Sequence, residues 1–296
     1  MRLIRLFLKD SLVRHGRQYI FYPAAPNTAS MYCEVGGVNV YYEIRGEGFP
    51  VLMLHGYGID HNVMVGCMEP LFKSRPGYRR IYIDLPGMGQ SKAPEWLTNS
   101  DQVLGIVVEF SEKAINGSFL VAGESYGGYI ARGMVNKISS RIDGERSKRQ
   151  LPPRTVFVRD EKLLASIDPG DREFFERMLI LQDRRRWKRF QQDILPGRHN
   201  EDKAFLERLK KHGYECSFDV DLLSQPFDKP SLVLAGRQDA SVGYKDPMKL
   251  ADIYTRSTFA VLDRAGHGLE VEQEGLFNCL ASEWLDRVEE NLKKSF

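Results

Sequence analysis

No stretch of the 296 residues approaches the eighteen or so consecutive apolar positions that a membrane-spanning helix requires, so no membrane partner is expected. Net charge is nearly absent as well. Forty-two Lys and Arg stand against 40 Asp and Glu, a formal +2, and no whole-molecule field draws the chain to nucleic acid or to an anionic surface. The basic clusters Arg184, Arg185, Arg186, Lys188, Arg189 and Arg141, Arg146, Lys148, Arg149 have acidic residues among or beside them and read as solvated surface rather than as a phosphate-binding patch. Cysteine is scarce: Cys33, Cys67, Cys216 and Cys279 form no C-x-x-C pair and no cysteine–histidine spacing that would suit zinc. No metal and no cofactor are expected, and buried free thiols in a reducing compartment, the cytoplasm, are the simplest account. Internal repeats and low-complexity tracts are absent too.

What is present is an ordinary globular composition, 42% hydrophobic and 28% charged, enough to bury a sizeable core. The segment from Met1 to Ile20 carries Arg2, Arg5, Lys9, Arg14 and Arg17 against Asp10 alone, but its apolar run is short and broken by charge. It makes a poor secretory signal and only weakly resembles a transit peptide. Met31 opens what reads as an ordinary first strand, so residues 1–30 are expected to be an extension outside the fold.

From Asn39 the chain alternates. Asn39–Ile44 is β-branched and aromatic, and Val51–Leu54, Ile81–Asp84 and Phe119–Ala122 are short apolar runs of the kind that form central strands covered on both faces. Helical patterns over Gln102–Ile115 and Tyr126–Ile138 lie between and after them, with Ile130, Met134 and Ile138 at four-residue steps. Such alternation marks βαβ units. Residues 151–227 break the rhythm with Pro152 and Pro153 followed by charged amphipathic stretches, and read as a helical insertion. Alternation resumes with Ser231–Ala235, a helix around Met248–Tyr254, the strand Thr258–Leu262 and a last helix with Leu276, Leu280, Trp284, Val288 and Leu292 placed on one face. The fold class is α/β, a mostly parallel sheet flanked by helices, with core segments 31–150 and 228–296.

The strongest local signal is Gly123-Glu124-Ser125-Tyr126-Gly127, with a strand before it and a helix after it. Glycines at the flanks permit a sharp strand-to-helix turn that exposes Ser125 at the sheet edge beside a helix N-terminus. A serine hydroxyl needs a base of near-neutral pKa. Of the six histidines, His267 in Asp263-Arg264-Ala265-Gly266-His267-Gly268 follows the last strand and projects from the same edge, whereas His199 and His212 fall in the insertion and His15 in the extension. Asp239, after the strand Ser231–Ala235, is placed to orient the imidazole. The order Ser, Asp, His distinguishes this arrangement from those of chymotrypsin and subtilisin. In His55-Gly56-Tyr57-Gly58 the histidine shapes a loop, and the amides of Tyr57 and Tyr126 are candidates for an oxyanion hole. His61 and Gly56 are candidates for the substrate pocket, with a surface position an equal alternative for His61.

With these residues the chain resembles the α/β-hydrolase fold, in the group of esterases, lactonases and proline-iminopeptidase-like enzymes. The matching segments are LMLHGYG, IYIDLPGMGQS, VAGESYGG, VLAGRQD and DRAGHG. The resemblance implies that residues 151–227 form a helical cap over the site. It also implies a hydrophobic strand after the helix ending near Ile138, where this chain reads SSRIDGERSKRQLPPRTVFVRD. Either Thr155–Val158 fills that central slot or the sheet lacks a strand there. The expected function is a serine hydrolase acting on a small ester or lactone. A proline-iminopeptidase-like aminopeptidase, with Glu161, Glu173 or Glu176 binding an ammonium group, and a non-catalytic ligand-binding protein of the same fold are the alternatives.

Overall fold

A computed structural model of the chain describes residues 3–8, 29–115, 117–139 and 154–294. The first half runs β1 (Leu3–Leu8), β2 (Ala29–Val35), β3 (Val38–Arg45), β4 (Phe49–Leu54), α1 (Asn62–Phe72), β5 (Tyr78–Ile83), α2 (Ser100–Ala114), β6 (Phe119–Gly123) and α3 (Tyr126–Ser139). The interrupting stretch holds β7 (Val158–Arg159), α4 (Glu161–Ala165), α5 (Pro169–Met178), β8 (Leu181–Gln182), α6 (Arg184–Asp193), α7 (Leu195–His199) and α8 (Lys203–His212). The chain closes with β9 (Ser231–Gly236), α9 (Lys245–Met248), β10 (Ser257–Leu262), α10 (Leu269–Glu272) and α11 (Glu274–Lys293).

Eight strands form one mixed sheet in the order β10-β9-β1-β6-β4-β5-β3-β2. Parallel pairing joins β4 to β5 and β6, and β9 to β10. The apolar runs occupy its centre: Val51–Leu54, all of β6 and all of β9 are buried, because helices cover both faces. On one side α3 lies over β1, β4 and β6 with α2 beside it; α1 and α11 pack together, α1 on β5 and α11 on β9.

The central slot is not filled by Thr155–Val158. Only Val158 and Arg159 form a strand, paired in parallel with β8 in a separate two-stranded sheet. Between β6 and β9 lies β1, antiparallel to both, with Ile4 opposite Gly123 and Val233. The six residues of β1, with Ala29 and Ser30 at the start of β2, thus belong to the sheet although residues 1–30 were expected outside the fold. The physical reason is hydrogen bonding: two buried strands each present an unpaired edge, and any segment of suitable length satisfies it irrespective of its position in the chain.

Side-chain caps mark five of the described helix starts. Asn99 caps α2 in a reciprocal capping box with Gln102. In the insertion Asp160, Asp168, Asp183 and Asp202 cap α4, α5, α6 and α8. Phe174, Phe175, Phe190, Phe205 and Leu209 give these short helices a core of their own that is continuous with the main one.

Two helix expectations need correction. The buried stripe of α11 is Phe277, Ala281, Trp284, Leu285 and Val288, whereas Leu276 is half exposed at 51%. Steps of four and eight residues from Leu276 drift off a 3.6-residue period, and Trp284, which donates to the Pro230 carbonyl at 2.9 Å, sets the true face. The helix around Met248–Tyr254 is only Lys245–Met248; beyond it the Phe227 amide donates to the Ile253 carbonyl and the Phe227 carbonyl accepts from the Thr255 amide, a parallel bridge in place of a continued helix. Of the cysteines, Cys67 and Cys216 are buried, Cys33 is half-buried and Cys279 is exposed, so the expectation of uniformly buried thiols fails at Cys279; all four are free.

Candidate active site

Ser125 has φ +49°, the sole left-handed non-glycine among the described residues. β-Carbons are impossible on both sides of it: one added at Gly123 would lie 2.4 Å from the Gly127 carbonyl group, and one at Gly127 would lie 2.3 Å from the Leu54 oxygen. The chain therefore turns between β6 and α3 in a space only glycine tolerates, and the strain is held at the serine.

Three chain segments converge on that turn. His267 Nε2 lies 3.1 Å from Ser125 Oγ, and His267 Nδ1 lies 3.0 Å from Asp239 Oδ2. Asp239 is fully buried, its Oδ1 accepting from the amides of Ser241 and Val242, so the carboxylate cannot swing away. A Cβ at Gly236 would meet the Gly266 oxygen at 2.1 Å, which shows how tightly the Asp239 and His267 loops approach. Burial lowers the His267 pKa below its ordinary value, while the nearby carboxylate of Glu124 acts in the opposite direction.

The His55–Gly58 loop passes beside the serine: a Cβ at Gly56 would lie 2.1 Å from Glu124 Oε2 and 3.3 Å from Ser125 Cβ. His55 is buried, Nδ1 donating to the Gly56 oxygen and Nε2 accepting from the Leu85 amide, each at 2.8 Å. Both ring nitrogens are committed to the backbone, and burial lowers the pKa, so this ring shapes the loop. The amides of Tyr57 and Tyr126 make no backbone hydrogen bond among the described residues. Tyr57 is further fixed by its hydroxyl, which donates to the Leu206 carbonyl of α8 at 2.6 Å.

A cavity of about 320 Å³ opens beside Ser125, walled by Tyr126, Tyr129, Tyr214, Leu250 and Ile253. Tyr126, Tyr129 and Tyr214 form one ring cluster, and the Tyr126 hydroxyl bonds Ser100 at 2.7 Å. Neither Gly56 nor His61 lines this cavity. His61 is 4% exposed, with Nδ1 2.7 Å from Asp84 and Nε2 3.3 Å from Glu43. Burial opposes its charged form, but the hydrogen bond and charge of Asp84 outweigh it and raise the pKa. His61 is thus neither at a mouth nor on the surface; two carboxylates draw it inward.

Of the tyrosines of the wall, Tyr126 was read for its amide alone, and Tyr214 escaped sequence reading because it arrives from the insertion, which carries no motif. Glu124 was visible inside the motif, but only its burial marks it.

A family model described as the alpha/beta hydrolase fold matches residues 50–144. An alpha/beta superfamily hydrolase from Oenococcus oeni superposes with a TM-score of 0.73 at 27% identity, covering 87% of this chain and 99% of that one. This chain has the α/β-hydrolase fold. Two curated relatives align over most of it. One, 2-hydroxymuconate semialdehyde hydrolase from a Pseudomonas species, is 24% identical over 84% of this chain and 91% of its own length. The other, pimeloyl-[acyl-carrier protein] methyl ester esterase from Shewanella woodyi, is 24% identical over 84% of this chain and 98% of its own length. Among the described residues no helix is long and apolar enough to cross a membrane. The arginines of α6 are largely paired: Arg185 and Arg189 with Glu274, Arg186 with Asp183.

Proposed function

We propose that the protein is a serine hydrolase cleaving small carboxylic esters or lactones through an acyl-enzyme. The reading is carried by one observation, the continuous chain Ser125 Oγ, His267, Asp239 with links of 3.1 Å and 3.0 Å. His267 Nε2 takes the serine proton as Oγ bonds to the substrate carbonyl carbon, and Asp239 holds the ring in the tautomer with its proton on Nδ1. The amides of Tyr57 and Tyr126 receive the oxyanion. The imidazolium returns its proton to the departing alkoxide, and a water then attacks the acyl carbon by the same route. No metal or cofactor is needed for this chemistry.

The cavity wall joins tyrosine and aliphatic side chains to Arg132, Glu215, Asp219, Asp221, Asp246 and Lys249, which suits an acyl group with both an apolar and a polar part. The ester named for the Shewanella relative supports the ester reading for this chain. The aminopeptidase alternative does not draw on Glu161, Glu173 or Glu176, none of which lines the cavity; it draws on Glu215 and Asp219, which do. Residence in the cytoplasm accords with four cysteines that form no disulfide.

Labelling with a fluorophosphonate, lost in Ser125→Ala, separates a hydrolase from a non-catalytic protein of this fold. A panel of esters, lactones, amides and aminoacyl anilides then fixes the class. Faster turnover of proline anilides than of simple esters would overturn the ester reading in favour of the aminopeptidase.

A further inference from the structure

The two tyrosines whose amides are the candidate oxyanion donors come from different parts of the core, Tyr57 from the loop after β4 and Tyr126 from the first turn of α3. Both side chains nevertheless end on the insertion. The Tyr57 hydroxyl donates to the Leu206 carbonyl of α8 at 2.6 Å. The Tyr126 hydroxyl lies 2.7 Å from Ser100 Oγ, and Ser100 Oγ donates to the Tyr214 carbonyl at 2.6 Å. Because the serine has a single proton and gives it to Tyr214, Tyr126 is the donor in the bond to Ser100. Burial pushes the Tyr57 phenol up to about 12 and the Tyr126 phenol well above its ordinary value, so both keep the protons that these bonds require.

Tyr214 stands between them. Its ring centroid is 5.5 Å from that of Tyr57 and 5.3 Å from that of Tyr126, which are themselves 6.1 Å apart. The segment around Tyr214 is fixed to α2 and α3: the Gly213 carbonyl accepts from the Ser100 amide at 2.9 Å, the Cys216 amide donates to the Tyr129 hydroxyl at 2.7 Å, and the Ser217 amide donates to Asp101 at 2.9 Å. On the other side, a Cβ at Gly197 of α7 would lie 2.2 Å from the Asp60 amide nitrogen, and one at Gly58 would lie 3.4 Å from Leu206 Cδ1. The loop that carries Tyr57 is thus packed tightly against the insertion.

We propose that Tyr214, with the hydroxyls of Tyr57 and Tyr126, positions the oxyanion hole: the insertion, tethered to both residues, sets where their two amides stand. The proposal rests on the acyl-transfer reading. An oxyanion develops only as Ser125 attacks, so amides held in place beforehand favour the transition state over the bound ester. Tyr214 also walls the cavity, so the space for the acyl group and the oxyanion hole share one residue. The hydroxyls exchange no proton or bond with substrate; they act through the backbone that carries them.

The test compares wild type with Tyr57→Phe, Tyr126→Phe, Ser100→Ala and the double variant Ser100→Ala/Tyr126→Phe. Two quantities are measured: ester hydrolysis, and binding of an alkyl trifluoromethyl ketone, whose adduct with Ser125 places an oxyanion at the two amides. Each phenylalanine keeps its ring and loses its tether. Each single variant lowers kcat by about tenfold with KM changed by less than about twofold, and weakens the ketone by the same factor. The double variant loses no more than the stronger single, because both substitutions break one chain of bonds. A purely structural role lowers the melting temperature and leaves kcat of the folded enzyme and the ketone affinity unmoved. Retention of kcat within about twofold in both phenylalanine variants, or a loss confined to KM, overturns the proposal. Should Tyr126→Phe fail to fold, the partly buried Tyr57 decides alone. A wild type that neither takes a fluorophosphonate label nor turns over an ester removes the acyl-transfer reading and this proposal with it; a wild type that does both, matched by its variants, removes the proposal alone.

Discussion

The backbone amide of His267 donates to the carbonyl of Met178 at 2.8 Å, so the last residue of α5 holds the loop that carries the imidazole. The amide of Gly268 reaches the same carbonyl, and Glu272 binds the amides of Ile180, Leu181 and Gly266, tying β8 to that loop a second time. The insertion is therefore built into the support of the candidate base, and its residues Tyr214, Phe218 and Val220 also line the cavity.

Asp239→Asn tests the orientation of that base. The amide places a donor where His267 Nδ1–H needs an acceptor, which favours the wrong tautomer. We expect kcat for ester hydrolysis to fall by about 10⁴-fold, the size of effect such a change has in serine triads, with melting temperature little altered. A loss of less than tenfold would remove Asp239 from the relay.

Glu272 gives the fold a pH dependence. Burial raises its carboxyl pKa from 4.5 to about 7. In the window between those values the folded chain keeps a proton that the unfolded chain has lost, so its stabilising contribution is full below pH 4.5 and is lost as pH rises through about 7. The loss is on the order of 3 kcal/mol. Urea unfolding on either side of the window shows this decline in wild type and not in Glu272→Gln; equal declines in both would assign it elsewhere.

Gly127 and Gly105 make a matched pair. A Cβ at Gly127 would collide with the Leu54 carbonyl at 2.3 Å, whereas one at Gly105, within α2, meets nothing within 4 Å. Gly127→Ala should cost about 2–3 kcal/mol or more, and Gly105→Ala should stabilise by about 0.5–1 kcal/mol. Denaturant midpoints measured side by side check both signs.

Removing residues 1–8 tests the central position of β1. The facing edges of β6 and β9 then lose their ladder partners, and we expect the melting temperature to fall by about 10 °C or more, or the chain to aggregate. Unchanged circular dichroism melts would show that the sheet does not depend on this strand.

Much of the site was readable in advance because its chemistry demands particular residue types in particular local settings. Gly123, Ser125 and Gly127 announce a turn that other residues cannot make, and Asp239 and His267 each follow a strand whose apolar run is plain. His61 was not readable, since a histidine near a loop says nothing about which carboxylates will face it, and Glu43 comes from β3 while Asp84 comes from just beyond β5. By itself the sequence determined the alternation of strands and helices, the elbow and the capped helices of the insertion, all of which follow from contacts within a few residues. Only the tertiary structure decided which segment fills the slot between β6 and β9, which face of α11 is buried, and that Glu124 lies beside the His267 imidazole. Those outcomes depend on hydrogen-bonding edges and buried charges contributed by residues far apart in the chain, for which no local pattern exists.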